Sequence, residues 1–330
     1  MTVAIGSGLG SQLGLAAEST YGTYVAPTRF LEFTKEDLKL KKTTAVSGGL
    51  AAGRLVDLST RRVVPQREGG GSIELEVTNK SMGLLLQALM GTTVTPVQQG
   101  ATAAYLQTHT LADTAGKSLT IQKGVPQTSG TVSKYSFLGS KVTSAEFSCE
   151  AGGMLTASYE FDAKDVDETS TLASPSYPSL APFHFAQMAV KTGAYGSEAA
   201  LDGVRKLSVK IERGLAVDRF YAGQAGLKKE PISNDKVKIS GALEADFTGT
   251  TLTALFNSDA ATSLVWEFTG ALIASTYYET FRVTLPAIFI DDEPPKVEGP
   301  EVVRTTFNFT GLFDGTNQSK IEYISTDTTV

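Results

Sequence analysis

Short runs of alternating apolar and polar residues are the dominant pattern along this chain. A period of two puts successive side chains on opposite faces, so each run predicts a strand that is buried on one side. The chain also holds two short helix candidates, at 81–91 and 251–257. The clearest strand runs lie at 30–33, 38–40, 73–77, 119–121, 135–138, 142–149 and 155–161. The pattern therefore predicts a mainly β protein.

The second half of the chain repeats the order of elements found in the first half. The strings DLKLKK (37–42), GSIELEV (71–77), SLTIQK (118–123) and SYEFDA (158–163) are followed in the same order by KLSVKI (206–211), GALEADF (241–247), SLVWEF (263–268) and TFNFTG (306–311). Such self-similarity indicates an internal duplication. The alternative is that any two β-rich halves look alike. We predict two tandem β-sandwich or barrel units, each with one short helix.

Composition suggests where these units begin and end. The first 28 residues are rich in glycine and weakly patterned, which predicts an N-terminal arm outside the core. Residues 164–182 contain three prolines and few large apolar residues, which is typical of a linker. The predicted organisation is an arm (1–28), a first β unit (29–163), a linker (164–182) and a second β unit (183–330).

The charge balance argues against a protein that binds nucleic acid tightly through its phosphates. The net charge of the 330 residues is −6, whereas phosphate binding normally requires a basic patch. Cys149 is the single cysteine, so neither an intrachain disulfide nor a cysteine metal cluster can form. We find no signal peptide and no run of about 20 apolar residues. We expect a soluble chain that is made in the cytoplasm and does not contact a membrane.

None of the residues with catalytic potential forms a recognisable catalytic motif. The glycines at 6–10 lack the preceding strand and following helix of a dinucleotide site. His109 and His184 lie in strand-like or loop sequence, with no nucleophile elbow and no paired metal-ligand spacing. We therefore expect no enzyme activity, no cofactor and no metal.

Several predicted strands carry carboxylates on the face opposite the apolar one. The pairs Glu74 with Glu76 and Glu244 with Asp246 occupy matching positions in the two halves. Such faces usually serve only solubility. They also suit the wall of a channel that conducts DNA, because like charges keep phosphates from adhering.

Two long polar stretches, at 43–70 and 212–238, are too long for simple turns. Their basic residues are candidates for contacts with other copies of the chain, although a solvated loop explains them equally well. These candidates are Arg54, Arg61, Arg62, Arg67, Arg219, Lys228 and Lys229.

Many strings along nearly the whole chain resemble the tail tube (major tail) proteins of phages with long non-contractile tails, the siphovirus type. They include GSGLGSQLGLAAESTYGT (6–23), GLAAGRLV (49–56), RRVVP (61–65), QGATAAYLQTHTL (99–111), APFHF (181–185) and GLAVDRFYAG (214–223). The resemblance implies a β-sandwich whose inner sheet joins those of neighbouring copies in a ring-wide β-barrel. It implies no catalytic residue.

The resemblance also implies a function and a set of partners. The chain is expected in the virion tail, where stacked rings form the hollow tube through which DNA passes without specific binding. The stretches 43–70 and 212–238, with their basic residues, and the N-terminal arm are the candidates for ring-to-ring contacts. Other tail proteins, namely the tape measure, terminator and distal tail proteins, are the expected partners. Such rings are commonly hexameric, but a duplicated subunit could form a pseudo-hexamer from three chains. The alternatives are a tail terminator, a capsid decoration protein, or a carbohydrate-binding or hydrolytic β protein.

Overall fold

The structure, a computed structural model, describes residues 6–291, 299–300 and 302–330, and it confirms the predicted mainly β fold. Its α-helices are α1 (Gly83–Met90) and α2 (Thr251–Ser258). The strands before residue 170 are β1 (Gln12–Ala17), β2 (Arg29–Phe30), β3 (Lys35–Glu36), β4 (Lys39–Val46), β5 (Arg62–Glu76), β6 (Val97–Gln98), β7 (Tyr105–Thr110), β8 (Leu119–Pro126), β9 (Val132–Glu150), β10 (Thr156–Ala163) and β11 (Asp165–Asp167). The later strands are β12 (Met188–Gly193), β13 (Ala199–Ala200), β14 (Val204–Glu212), β15 (Leu215–Ala216), β16 (Ile232–Ser233), β17 (Lys238–Asp246), β18 (Thr262–Ala274), β19 (Tyr277–Ile290), β20 (Arg304–Leu312) and β21 (Lys320–Ser325).

A single antiparallel sheet, which we call the long sheet, runs through both halves of the chain. Its strand order is β4-β5-β10-β9-β14-β17-β20-β19, and β3 shares the edge of β5 with β4. The first four strands come from the first half and the last four from the second half. The halves meet where 144–150 of β9 pair with 206–212 of β14. This pairing joins two four-stranded sheets into one sheet of eight strands.

The pairing pattern shows that the two halves have the same topology. In the first half β4 pairs with β5, β5 with β10, β10 with β9, β9 with β8 and β8 with β1. In the second half β14, β17, β20, β19, β18 and β12 pair in the same succession. The helices follow β5 and β17, at equivalent places. We call the two halves the first and second repeat.

The pairing registers correct one of the sequence matches. Ser158 of β10 lies opposite Glu74, and Thr306 of β20 lies opposite Glu244, as the matched strings require. On the other edge, however, Lys39 pairs with Gly70 and Lys210 with Ser240. Because Gly70 and Ser240 are equivalent positions, Lys210 corresponds to Lys39. The string KLSVKI therefore matches 35–40, two residues before the match inferred from sequence.

A second layer of strands covers the apolar face of the long sheet. Strands β9 and β19 belong to both layers, since their other halves pair with β8 and β18. Aromatic side chains fill the space between the layers, and Phe147 of the first repeat meets Phe281 of the second with ring centroids 5.4 Å apart. Strand β7 of the first half also pairs with β21 of the second. The repeats therefore share one core.

The expectation that residues 1–28 form an arm outside the core is wrong for β1, whereas residues 1–5 lie outside the described part of the chain. Strand β1 pairs with β8 along its whole length, and Leu13 and Leu15 are fully buried. The buried Glu18 carboxylate accepts hydrogen bonds from the Ser118 and Thr120 hydroxyls and from two backbone N–H groups. Since β12 takes the same place beside β18, β1 is part of the first repeat.

The segment predicted as a linker begins with ordered structure. Strand β11 pairs with 136–138 of β9, and its counterpart β21 pairs with β19. After β11, residues 172–181 form neither helix nor strand. The connection between the repeats is therefore shorter than residues 164–182.

Gly241 provides a test of the close packing between β14, β17 and β20. A Cβ atom at this position would lie 2.3 Å from the Ser208 carbonyl oxygen and 2.3 Å from the Phe309 ring. We expect Gly241→Ala to lower the free energy of unfolding by about 2–3 kcal/mol because the strands must move apart. Urea denaturation measures the loss. Gly249→Ala is the control, because no atom lies within 4 Å of its added Cβ, and equal stability of the two variants would contradict the described packing.

Candidate functional site

The long sheet buries one face and presents a polar one. On β5 and β17 the apolar side chains point into the core, while Glu74, Glu76, Glu244 and Asp246 lie together on the polar face. The sequence thus placed these four residues correctly on one wetted face. In the described part of the chain the strand carboxylates that share this face are Glu68, Glu74, Glu76, Glu146, Glu150, Glu160, Asp162, Glu212, Glu244 and Asp246.

Ion pairs neutralise part of this face. Lys35 contacts Glu74 at 2.7 Å and Arg304 contacts Asp246 at 3.3 Å. Lys206 and Lys210 pair with carboxylates of β9 and β14 in the same way. Within the described residues, no ion pair reaches Glu76, Glu146, Glu160 or Glu244. Four carboxylates on this face, on strands of both repeats, therefore have no ion-pair partner among the described residues.

A two-stranded hairpin extends beyond one end of the long sheet. Strand β10 ends opposite Gly69, but β5 and β4 continue, and the loop 47–61 connects them. We call residues 41–68 the projecting hairpin. Its basic residues Arg54 and Arg62 are exposed, Arg61 donates to the Gly49 carbonyl, and Arg67 pairs with Asp165 at 2.7 Å.

The projecting hairpin also exposes apolar side chains that the sequence patterns did not single out. Leu50 and Leu55 are completely exposed and Val56 is 82% exposed. Val46, Val63 and Val64 on the flanking strands are about half exposed. Exposed apolar residues are ordinary when scattered, but a cluster on a protruding element marks a contact surface. The run GLAAGRLV lacks strand or helix periodicity. Its mixture of leucine and glycine inside a long loop is the one sequence signal that could have predicted an exposed contact surface.

The corresponding connection in the second repeat folds back onto the protein. Residues 213–237, which we call the rim loop, lie across the ends of β9, β10 and β5 of the first repeat. The Arg213 N–H donates to the Thr143 carbonyl, and the Arg67 N–H donates to the Gly226 carbonyl at 3.1 Å. Arg219 binds the Glu230 carbonyl, and the exposed Lys229 lies over the Tyr221 ring. The rim loop thus attaches the second repeat to the first.

Lys228 was predicted as an exposed contact residue, and this prediction is wrong. Its side chain is fully buried, contacts Glu68 at 2.8 Å and also binds Asp162. Nearby, the buried Lys141 contacts Glu230 at 2.6 Å. Buried ammonium groups lose hydration, so each requires a carboxylate partner. Lys228 therefore links three parts of one chain and is not available to a neighbouring copy.

The edge of the long sheet at this end is formed by β4 and the short β3, which both pair with β5. All of β4 except Leu40 is exposed, and within the described residues β5 is its one strand partner. By the repeat, β4 takes the place of β14, whose second edge is bound by β9. An unoccupied edge can add another strand.

The residues considered for catalysis or metal binding do not converge in the described structure. His109 is buried beside Gln107, and burial lowers its pKa to about 4. His184 caps a short helix, and burial raises the pKa of the Cys149 thiol to about 11. In the described ranges no group of three histidine, cysteine or acidic side chains could hold a metal. Neither helix there has the length and apolar character needed to cross a membrane.

Replacing Lys228 tests the attachment of the rim loop. Lys228→Ala leaves the partly buried Glu68 and Asp162 carboxylates without their cation, so we expect a loss of about 3 kcal/mol in unfolding free energy. Lys229→Ala removes an exposed ammonium group from the adjacent position and should change stability by less than about 0.5 kcal/mol. Chemical denaturation of both variants measures the difference. Equal losses would show that Lys228 is not a buried link.

Asp162 should give the protein a specific pH dependence. Burial raises its pKa from 3.8 to about 6, and this effect exceeds the opposing effect of Lys228. A carboxyl group that binds its proton more tightly in the folded state lowers stability as the pH rises through this interval. We therefore expect the unfolding free energy of Asp162→Asn, relative to the unaltered protein, to improve between pH 4 and pH 7. Parallel pH profiles from urea denaturation would contradict this assignment.

Comparison with known proteins identifies the family to which these surfaces belong. A comparison with curated proteins finds no match. A family model described as phage tail tube protein matches residues 8–311, which covers the first repeat, the second repeat up to the end of β20 and nearly the whole long sheet. The match agrees with the resemblance found in the sequence. The chain therefore belongs to the phage tail tube protein family and is a structural component of a phage tail.

Proposed function

We propose that copies of this chain join edge to edge into rings, that the rings stack into a hollow tube, and that phage DNA passes through the tube at ejection. The observation that carries this proposal is the joint between β9 and β14. It is a sheet-to-sheet connection between two units of the same topology. What joins the two repeats inside one chain can also join repeats of neighbouring chains.

The ends of the long sheet support this interpretation. One end is formed by β4, which corresponds to β14, and the other by β19, which corresponds to β9. As strands, the two ends are thus equivalents of the two that meet at the internal joint. The second-repeat segment that corresponds to 144–150 follows Ile290 and lies mostly outside the described residues. A head-to-tail contact of this kind closes into a ring when its rotation allows, and closure removes the unpaired edges.

The strand number favours three chains in each ring. Three sheets of eight strands give a barrel of 24, with a backbone diameter of about 48 Å for strands about 4.8 Å apart and tilted about 40°. Such a barrel is wide enough to pass a DNA double helix. Six chains that each contributed the whole long sheet would double this diameter. We therefore favour a trimeric ring with pseudo-sixfold symmetry over a ring of six chains.

The polar face of the long sheet would line the lumen, because the other face is covered by the second layer of strands. Its carboxylates, including Glu74, Glu76, Glu244 and Asp246, would repel the phosphates of passing DNA without binding them. The projecting hairpin extends along the strand direction and reaches the end of the ring, where the next ring stacks. Arg54, Arg61 and Arg62 would contribute to that contact. Tape measure, terminator and distal tail proteins are the partners expected inside the tube and at its ends.

Electron microscopy of the purified protein tests the proposal. We expect long hollow filaments whose end-on views have threefold symmetry with six similar lobes. Single rings that never stack would favour a tail terminator, and small particles would favour a capsid decoration protein. Filaments with six chains in each ring would contradict the trimeric arrangement but would still support a tube.

Charge neutralisation tests the lumen assignment. Changing the carboxylates without an ion pair to amides (Glu76→Gln, Glu146→Gln, Glu160→Gln and Glu244→Gln) should leave assembly intact and slow DNA ejection, because phosphates then meet less repulsion. The control removes four exposed carboxylates away from this face (Glu32→Gln, Glu168→Gln, Asp202→Asn and Asp259→Asn). Ejection kinetics of phage carrying each variant provide the measurement. Identical kinetics for both sets would show that these carboxylates do not affect DNA passage.

A further inference from the structure

The two repeats differ most at the end of the long sheet from which the projecting hairpin extends. In the first repeat the rim loop covers the ends of β9, β10 and β5 through Lys228, Glu230 and the backbone of Gly226. The equivalent ends in the second repeat belong to β19, β20 and β17. In the described residues no loop of the chain covers them in this way. One repeat is therefore covered, and the same region of the other is open.

The open region is apolar where the covered region is charged. The strand registers make Val237 the equivalent of Arg67 and Phe289 the equivalent of Lys141. At the end of β20 and directly after it, Leu312 and Phe313 stand where the first repeat has Lys164 and Asp165. Four positions that are charged in the first repeat are thus apolar in the second.

An apolar opening marks this region of the second repeat. Its volume is about 530 Å³, and its lining combines the apolar residues Leu111, Val237, Ile239, Leu312 and Phe313 with the polar residues Lys236, Gln318 and Ser319. Phe313 is 63% exposed and Leu312 is 51% exposed. We call this surface the open rim. Large apolar side chains exposed beside a cavity favour an apolar occupant.

Like the open rim, the projecting hairpin has apolar residues where its equivalent in the other repeat has charged ones. The rim loop binds the first repeat with charged residues, chiefly Lys228 and Glu230. The hairpin loop, which is its equivalent in the first repeat, instead presents Leu50, Leu55 and Val56. A charged loop therefore covers a charged end inside the chain, and an apolar loop and an apolar end both remain without a partner in the described residues.

We propose that the tip of the projecting hairpin docks on the open rim of the adjacent copy in the same ring. This inference rests on the proposed ring. The rim loop leaves β14 and crosses onto the preceding repeat, which is joined to β14 through β9. The hairpin loop leaves β4, so a ring joined through β4 brings it to the preceding repeat of the neighbouring chain. That repeat is the second repeat, which carries the open rim.

Whereas the rim loop contacts the first repeat of its own chain through charged residues, the hairpin contacts the neighbouring chain through apolar residues. It buries Leu50, Leu55 and Val56 against Leu312 and Phe313, which strengthens association without desolvating charges. The hairpin then lies across the end of the ring. Its arginines remain at the end face, where the next ring stacks.

Cysteine cross-linking in assembled tubes tests the docking. The double variant Leu55→Cys with Phe313→Cys is oxidised after assembly and separated under non-reducing conditions. We expect most of the protein to form covalent oligomers. The largest of them should contain as many chains as one ring, a number that end-on images provide. Both positions are exposed in the subunit, so neither change should affect folding. Val56→Cys with Leu312→Cys provides a second pair for the same contact.

Two controls and three outcomes make the experiment decisive. Leu55→Cys with Tyr278→Cys uses another exposed side chain and should not cross-link, and the native Cys149 is buried. Covalent ladders longer than one ring would overturn the proposal, because the hairpin would then bind the next ring. Tubes without cross-links above the control would also overturn it while leaving the proposed function intact. If the unaltered protein forms neither rings nor tubes, the proposed function itself fails.

Discussion

The hydrogen-bonding edges of β-strands constrain this structure more than any other interaction. A strand within a sheet has two edges, and an edge without a partner exposes backbone groups that readily bind another strand. Inside the chain, β9 and β14 satisfy each other and thereby join the two repeats into one sheet of eight strands. At the end of that sheet, within the described residues, β4 has only β5 as a strand partner. The duplication thus supplies an internal joint and, in the arrangement that we propose, an equivalent edge for a neighbouring copy.

Charged contacts around this sheet hold the chain in its fold, and the exposed apolar surface is available for association. Buried ion pairs, such as those of Lys228 with Glu68 and Asp162, fix the rim loop within the chain. Such pairs impose a specific geometry more than they add stability. The surfaces that we propose for contacts with other copies are the strand edge of β4, the apolar residues of the projecting hairpin and the open rim. Association there gains free energy from burying apolar area.

The sequence predicted the parts of the fold that have a period and missed those that depend on distant partners. Alternation in 71–77 and 241–247 predicted the strands, the repeat and the shared face of the acidic residues. It missed β1, because the leucines of QLGLAA alternate with glycine and alanine, which give little polar contrast, and because the strand is buried by pairing with β8, about 100 residues later. Lys228 was taken as exposed because its partners, Glu68 and Asp162, are remote in sequence. Leu55 carried no periodic signal, so only its exposure in the structure identifies it.

Hydrogen exchange of the β4 amides tests the continuation of the sheet most directly. The measurement compares unassembled subunits with tubes and follows peptides covering 39–46 and 206–212. Our account predicts that assembly slows exchange in β4 and leaves β14 unchanged, because β14 already has partners on both edges. Unchanged exchange in β4 after tube formation would contradict the claim that neighbouring copies extend the long sheet through this edge.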